Sequence, residues 1–393
     1  VRRGRDLREI EIGPLSEREA LDLAESLVAG DSKPEQTRLA NAVRRAAGSP
    51  FYLGQALLDD RDDTSDVHSL DRLVARRVVA LASDARELLG IVAVAGRPIA
   101  IPLVEEAVAH TPIASKKLLS ELEQLGLIRR EGDTIETAHD RIREVMVSEL
   151  EGAELRSIHR RLALALEHEG GLPEALANHF EAAGELELAA EWTERAVNQA
   201  IAAVAFGRAV ELLERTLALL PEGASPQRRL AVQAALAEQL ANLGRGLEAS
   251  AHFVALAGRT WASEARAYRR RGAELLLARG RVDEGIALFS TTLHELGERL
   301  PRSWGAMLRQ IVWERLRLAL RGDRTTLRSE QELEPRALER IDTFYAAVRA
   351  LSGQELVLAF ALQSRAFRLA LDAGEPRRLV EFHVYESVLA ATG

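Results

Sequence analysis

Apolar residues recur along most of this chain at steps of three and four, one helix after another. Ser16, with Glu19 three residues on, has the spacing of a capping box. The helix it opens carries Ala20, Leu23, Ala24, Leu27 and Val28 on one stripe and ends at Gly30. Ser32 and Glu35 repeat the device for a second helix with Leu39, Ala42, Val43 and Ala46 inward, closed by Gly48. Ser49-Pro50 then starts a third, proline being tolerated at a first helical position. Before these, Glu9-Ile10-Glu11-Ile12 alternates as a strand would. After them, Asp59 to Asp66 is a charge-rich linker.

Residues 67–150 read as a compact unit. Helices are expected over 70–81, over 85–95 with Ser83 as cap and Gly96-Arg97-Pro98 as stop, over 101–110 and over 115–125. The last of these turns Leu118, Leu119, Leu122 and Leu125 inward. The period then changes. Leu127 to Thr137 reads as a hairpin turning at Gly132-Asp133. Helices followed by a β wing are the order of a winged helix. The stretch Thr134 to Met146 (TIETAHDRIREVM) is the seam between this pattern and the helices beyond it. Thr137 and Asp140 fit a helix start, and His139, Arg141 and Arg143 gather at the same point. Free N–H groups there could hold an anion; a well-capped helix with a structural histidine is the other reading.

From about Glu154 the chain forms helix pairs. The turn-and-start segment Gly184-Glu185-Leu186-Glu187-Leu188-Ala189 recurs as Gly244-Arg245-Gly246-Leu247-Glu248-Ala249 and as Gly280-Arg281-Val282-Asp283-Glu284-Gly285. Ala209 to Pro221 supplies the tail of another such unit. The spacing is irregular but near the roughly 34 residues of a tetratricopeptide repeat (TPR). Small residues at Ala189, Ala209, Ala249 and Gly285 would let two helices approach closely. Stacked pairs of this kind make a solenoid whose concave surface takes protein or peptide. Within 301–321, Leu308, Ile311, Val312, Leu316, Ala319 and Leu320 make an apolar stripe, with Arg302, Arg309, Arg317 and Arg321 mostly off it and Trp304 and Trp313 nearby. The pattern fits an array helix with a solvated basic face, or a basic helix lying on a membrane surface. A polar break over 330–335 precedes two further helix pairs, with a turn at Ala373-Gly374-Glu375-Pro376.

Composition agrees with a mainly α fold. Hydrophobic residues make up 47% of the 393 and aromatic residues only 4%. With no cysteine, there is neither a disulfide framework nor a thiolate metal site. No apolar run approaches a membrane span of about 20 residues, and the start VRRGRDLREIEIG has no signal-peptide pattern, so a cytoplasmic location is expected. Because the chain opens on Val1, it reads as a piece of a longer protein. The net charge of −8, and Glu121 and Glu123 on the same predicted helix as Lys116 and Lys117, argue against nucleic acid as the partner.

Absences narrow the chemistry. The lysines are Lys33, Lys116 and Lys117, and none follows a glycine, so no GxxxxGK[ST] phosphate loop exists. The kinase motifs, HExxH and GxSxG are missing too. No catalytic or metal-ligating residue is assigned.

The chain resembles the region downstream of the ATPase core in signal-transduction ATPases with numerous domains. Gly48-Ser49-Pro50-Phe51-Tyr52-Leu53 resembles their GxP motif, and Ala138-His139-Asp140 their MHD-type motif, with alanine in place of methionine. The segments AHDRIREVM, GELELAAEWTERA, RLPRSWGAMLRQIVWERLRLALRG and LALDAGEPRRL resemble large bacterial serine/threonine protein kinases that carry this ATPase and repeat region. That resemblance implies residues 1–66 as the end of the core and a helical lid, 67–150 as a winged helix, and 151–393 as a TPR-like array. It implies Pro50 near the adenine and His139 facing the β-phosphate of ATP or ADP, with Mg, held by an upstream ATPase core in cis. The fragment alone would hold no cofactor; the parent would be a serine/threonine protein kinase and ATPase, whose kinase motifs and phosphate-binding loop this chain lacks. A transcription activator of the same ATPase group and a plain TPR-like scaffold are the alternatives.

Overall fold

The computed structural model describes residues 13–28, 36–57, 68–108, 112–321 and 325–392. The expected strand over 9–12, the Ser32–Glu35 cap and the linker over 59–66 lie outside the described residues. The fold is mainly α, and its packing divides at Trp192/Thr193 into two units.

The first unit opens with α1 (Glu17–Val28), α2 (Gln36–Ala46) and α3 (Pro50–Leu57). The capping box forms as the spacing requires. The Ser16 backbone N–H donates to Glu19 Oε2 at 2.8 Å, and Glu19 N–H donates to Ser16 Oγ at 3.3 Å. These bonds hold the Glu19 carboxyl below its ordinary range. Ala20, Ala24, Leu39, Ala42, Val43, Ala46, Leu53 and Ala56 make the core of the three helices. Leu27, expected on the stripe, is exposed.

Next come α4 (His68–Ala80), α5 (Ser83–Ala95), β1 (Ile99–Ala100), α6 (Ile101–Val108), α7 (Pro112–Gln124), β2 (Ile128–Glu131), β3 (Thr134–Thr137) and α8 (Asp140–Ser148). The expected hairpin is present, with Arg130 opposite Ile135. It gains a third strand: β1 pairs antiparallel with β3, giving the order β1-β3-β2. Two caps differ from expectation. Ala82, not Ser83, is the N-cap of α5, without a side-chain bond. At α8 the cap is His139, while Thr137 is committed to β3. Of the four leucines expected inward on α7, Leu119 and Leu122 are buried and Leu125 is exposed. The pair α9 (Gly152–His168) and α10 (Pro173–Ala183) follows, α9 packing on α5 and α6. The division between the units falls inside α11 (Leu186–Ala202).

The second unit holds α12 (Phe206–Leu219), α13 (Pro226–Asn242), α14 (Gly246–Ala257), α15 (Ala262–Ala278) and α16 (Val282–Glu295), each packed on its neighbours in sequence. The turn glycines close these pairs in the left-handed region, with φ of 86° at Gly244 and 77° at Gly280. Gly285 shows why the position after such a turn must be small. A Cβ there would lie 2.6 Å from Leu277 Cγ and 3.1 Å from the Ala273 carbonyl oxygen. Ala209 and Ala249 are likewise fully buried.

After α17 (Trp304–Arg321) the pattern changes, with α18 (Pro335–Leu351), α19 (Leu356–Ala373) and α20 (Pro376–Thr392). Three helices stand where two pairs were expected. α18 returns to pack on α15 and α16, and α17 packs on α19. Phe289, Phe344 and Phe382 are fully buried in the shared core, each burial stabilising by about 2–3 kcal/mol. The apolar stripe of α17 faces outward, unlike that of an array helix with a solvated basic face: Leu308, Val312, Leu316 and Leu320 are all exposed. Among the described residues, no helix is long and apolar enough to cross a membrane.

Candidate functional site

Both residues singled out from the sequence, Pro50 and His139, come to one place in the first unit. Each is set there by a local constraint. Gly48 has φ of +80°, and a Cβ on it would meet the Leu15 carbonyl oxygen at 2.7 Å and Pro14 Cβ at 2.8 Å. Leu15 N–H donates to the Gly48 carbonyl at 2.8 Å, fixing the turn against the start of the first helix. Pro50 then begins α3, and the rings of the next two residues, Phe51 and Tyr52, lie 5.4 Å apart.

On the other side, Ala138 N–H donates to the Leu127 carbonyl at 3.0 Å, so the chain leaves the hairpin in one direction. His139 follows in extended conformation, with φ of −155°, and caps α8. Its Nδ1 accepts from the Arg141 backbone N–H at 3.1 Å. That bond needs the Nδ1 lone pair, so the neutral ring carries its proton on Nε2 and can donate from there.

The two sides meet in two contacts. The Phe51 ring stacks on the His139 imidazole, centroids 4.0 Å apart and planes within 16°. Arg141 Nε donates to Tyr52 Oη at 3.1 Å, across 89 residues of chain. Arg141 also pairs with Glu144 at 2.7 Å, and Arg143 lies 3.6 Å from Asp140. The His139 Nε2–H and the first turn of α8 lie together here, beside two arginines that are already paired with Glu144 and Asp140. His139 and Pro50 are both exposed, so a ligand has access.

Phe51, Tyr52 and Arg141 make the contacts; the sequence grouped Arg141 with His139 and set Phe51 and Tyr52 in the GxP-like segment, but assigned none of the three to the site. Their signal was present in outline: an aromatic pair directly after Gly-Ser-Pro, and a His-x-Arg at the end of a hairpin.

Elsewhere in this unit, Glu106, His168 and Glu169 bring three possible metal-ligand atoms together. All three are exposed, and His168 Nδ1 lies 3.0 Å from Glu106 Oε1. Between α9 and α10, His159 Nδ1 lies 2.9 Å from His179 Nδ1. Burial, then the neighbouring His159 and Arg97, bring His179 down to about 4. Burial lowers His159 as well. The contact is therefore between two neutral rings, one donating and one accepting.

No protein-family model matches the chain, and no curated protein matches it. Among solved structures it is similar to a signal-transduction ATPase with numerous domains that carries a tetratricopeptide repeat sensor, from Pyrococcus horikoshii. Identity is 15%, the TM-score is 0.41, and the match covers 95% of this chain and 61% of that one. The chain thus spans less than two thirds of that protein, and a likeness at this level says nothing about the residues of the site.

Proposed function

We propose that this chain is the regulatory part of a cytoplasmic, ATP-dependent bacterial signalling protein, in which the contact between α3 and the start of α8 reports on bound nucleotide. In this reading α1–α3 are a helical lid, α4–α8 a winged helix, and the later helix pairs a TPR-like surface for protein or peptide. The parent is a serine/threonine protein kinase with an attached ATPase switch.

The observation that carries the proposal is the stack of Phe51 on His139. It joins the residue after Pro50 to the histidine expected at the phosphate and holds the ring with Nε2–H free to donate. ADP held by an upstream core would accept that bond at its β-phosphate, tying lid and wing together. One such bond stabilises the closed arrangement by about 1–3 kcal/mol, and the equilibrium shifts by no more than that when the nucleotide leaves.

Removing the histidine does not test this cleanly, because the structure makes it the cap of α8 as well. His139→Asp does. Aspartate caps helices at least as well but puts a negative charge where the phosphate would lie. In the full-length protein, ADP should leave about tenfold faster or more, with melting temperature nearly unchanged. An unchanged ADP release rate would make His139 a capping residue only and sink the proposal.

A further inference from the structure

Helix α17 is attached by a face that carries Gln310, Glu314, Arg315 and Arg321 beside Met307 and Leu318, the last two packing against the core. Gln310 donates to the Ala361 carbonyl at 3.0 Å, Arg315 to Ser364 Oγ at 3.2 Å, and Arg321 to the Leu371 carbonyl at 2.8 Å, all on α19. Glu314, only 4% exposed, lies between Arg365 at 3.1 Å and Arg368 at 2.6 Å. The opposite face is therefore left without a partner among the described residues. On it Trp304, Leu308, Val312, Trp313, Leu316 and Leu320 are 45% to 79% exposed. They run along a helix about 27 Å long.

Beside this face is a groove of ≈ 1380 Å³, walled by the end of α16, the turn after it and α17, with Val312 and Trp313 in its lining. Its charge is one-sided. Arg299, Arg302 and Arg309 line it, all exposed, and none makes a hydrogen bond or ion pair with a described residue. The carboxylates in the lining, Glu298 and Glu314, are buried and already held by Arg365, with Arg340 and Arg368 completing their partners. His294 is exposed at the edge. Arg317 lies over the Trp313 ring at 4.7 Å, adding a further cation beside the apolar strip.

We propose that this groove and the outer face of α17 dock an acidic amphipathic helix of a partner protein. Its apolar side would cover Leu308, Val312 and Trp313, and its carboxylates would meet Arg299, Arg302 and Arg309. The charge selects the acidic partner: three cations stand around apolar surface with no anion of their own. The concavity selects a helix over a bilayer, since a flat lipid surface reaches the outer stripe but not the groove. Exposed tryptophan with flanking arginine is the composition that dominates binding at such anchor points. The inference rests on reading the later helices as a protein-binding surface, and not on the nucleotide reading at His139.

The probe is a fluorescein-labelled helical peptide of about 18 residues, with Leu and Phe at i, i+3, i+4 and i+7 and Glu at the flanking positions. A second peptide carries Lys in place of every Glu. Anisotropy with the full 393-residue chain should show the Glu peptide binding and the Lys peptide failing to bind. Trp313→Ala should weaken the Glu peptide about tenfold or more. Arg299→Glu, Arg302→Glu and Arg309→Glu combined should reverse the preference, so that the Lys peptide binds and the Glu peptide does not. All these positions are exposed, so the variants fold, which an unchanged melting curve checks.

Equal binding of both peptides, or no binding, overturns the proposal. Glu-peptide binding that ignores the α17 substitutions overturns it too, while leaving a protein-binding array intact elsewhere. Pelleting with phosphatidylglycerol vesicles that depends on Trp313, without peptide binding, assigns the face to a membrane. Trp313-dependent dimers in light scattering assign it to a second copy of the chain. Either of these two results also overturns the proposal.

Discussion

Between α13 and α16 small residues let the helices approach closely, whereas α17 meets α19 through buried charged residues as well as Met307 and Leu318. At the α15–α16 contact, Gly285 leaves room for Leu277 against its backbone; at the α14–α15 contact, Ser250 Oγ donates to the Gly272 carbonyl at 2.9 Å. Ala249 and Ala273 are fully buried in the same region. At the α17–α19 contact the work is done by Glu314, Arg365 and Arg368, by Arg315 bridging to Glu386 of α20, and by Arg321 and Arg368 sharing Asp372. Burial raises the Glu314 carboxyl even with Arg365 and Arg317 beside it. The first kind of contact consumes apolar surface on both helices. The second leaves the apolar side of α17 facing solvent, which is why an outward stripe exists at all. It also fixes orientation, because a rotated α17 would strand buried charges.

Substitutions sharpen the contrast. The largest effect belongs to Glu314→Ala, which leaves Arg365 and Arg368 short of a carboxylate in a mostly buried place. We expect a loss of about 3 kcal/mol, read by denaturant unfolding. A loss no bigger than that of an ordinary surface substitution would mean the network does not hold α17. The neutral His159–His179 contact between α9 and α10 is a third kind of joint, and it responds to pH. His179 is depressed to about 4 in the folded chain, against an ordinary value of about 6.5. Above 6.5 both states are neutral there and the pair contributes no pH dependence. As pH falls from 6.5 towards 4 the unfolded state takes up a proton that the folded state refuses, so stability is lost. The loss is about 3 kcal/mol at most. His179→Gln should flatten that part of the profile, and a profile identical to wild type would contradict the buried neutral pair. Smaller still is Gly285→Val, whose new side chain runs into Leu277. Overpacking should cost about 1–3 kcal/mol, and an unchanged melting temperature would show that α15 and α16 are not so close.

Much of this was readable in the residues. Ser16 and Glu19 form their capping box because both bonds are local. The glycine turns at Gly244 and Gly280 follow from backbone sterics alone, and the hairpin turns at Gly132-Asp133 as alternation suggested. What could not be read depended on distant partners. Periodicity located the stripe of α17 but not the side it faces, which is settled by residues up to 71 positions away, such as Glu386. Strand β1 has two residues, too few for a period to show. Thr137 was the better cap on preference, yet pairing with β2 keeps it in the sheet and the cap passes to His139. At the site, Pro50 and His139 were legible as candidates. The ring of Phe51 and the Tyr52–Arg141 bond that bring them together are contacts only the fold creates.

The orientation of α17 is the claim on which the contrast depends, and the chain has no cysteine to confuse its measurement. Single cysteines are placed at Val312, which is 67% exposed, and at Leu318, which packs into the core shared with α19. Maleimide labelling under native conditions should modify Val312→Cys at nearly the rate of the unfolded chain and Leu318→Cys far more slowly. Fast labelling at Leu318 with protection at Val312 would put the apolar stripe inside and contradict the account.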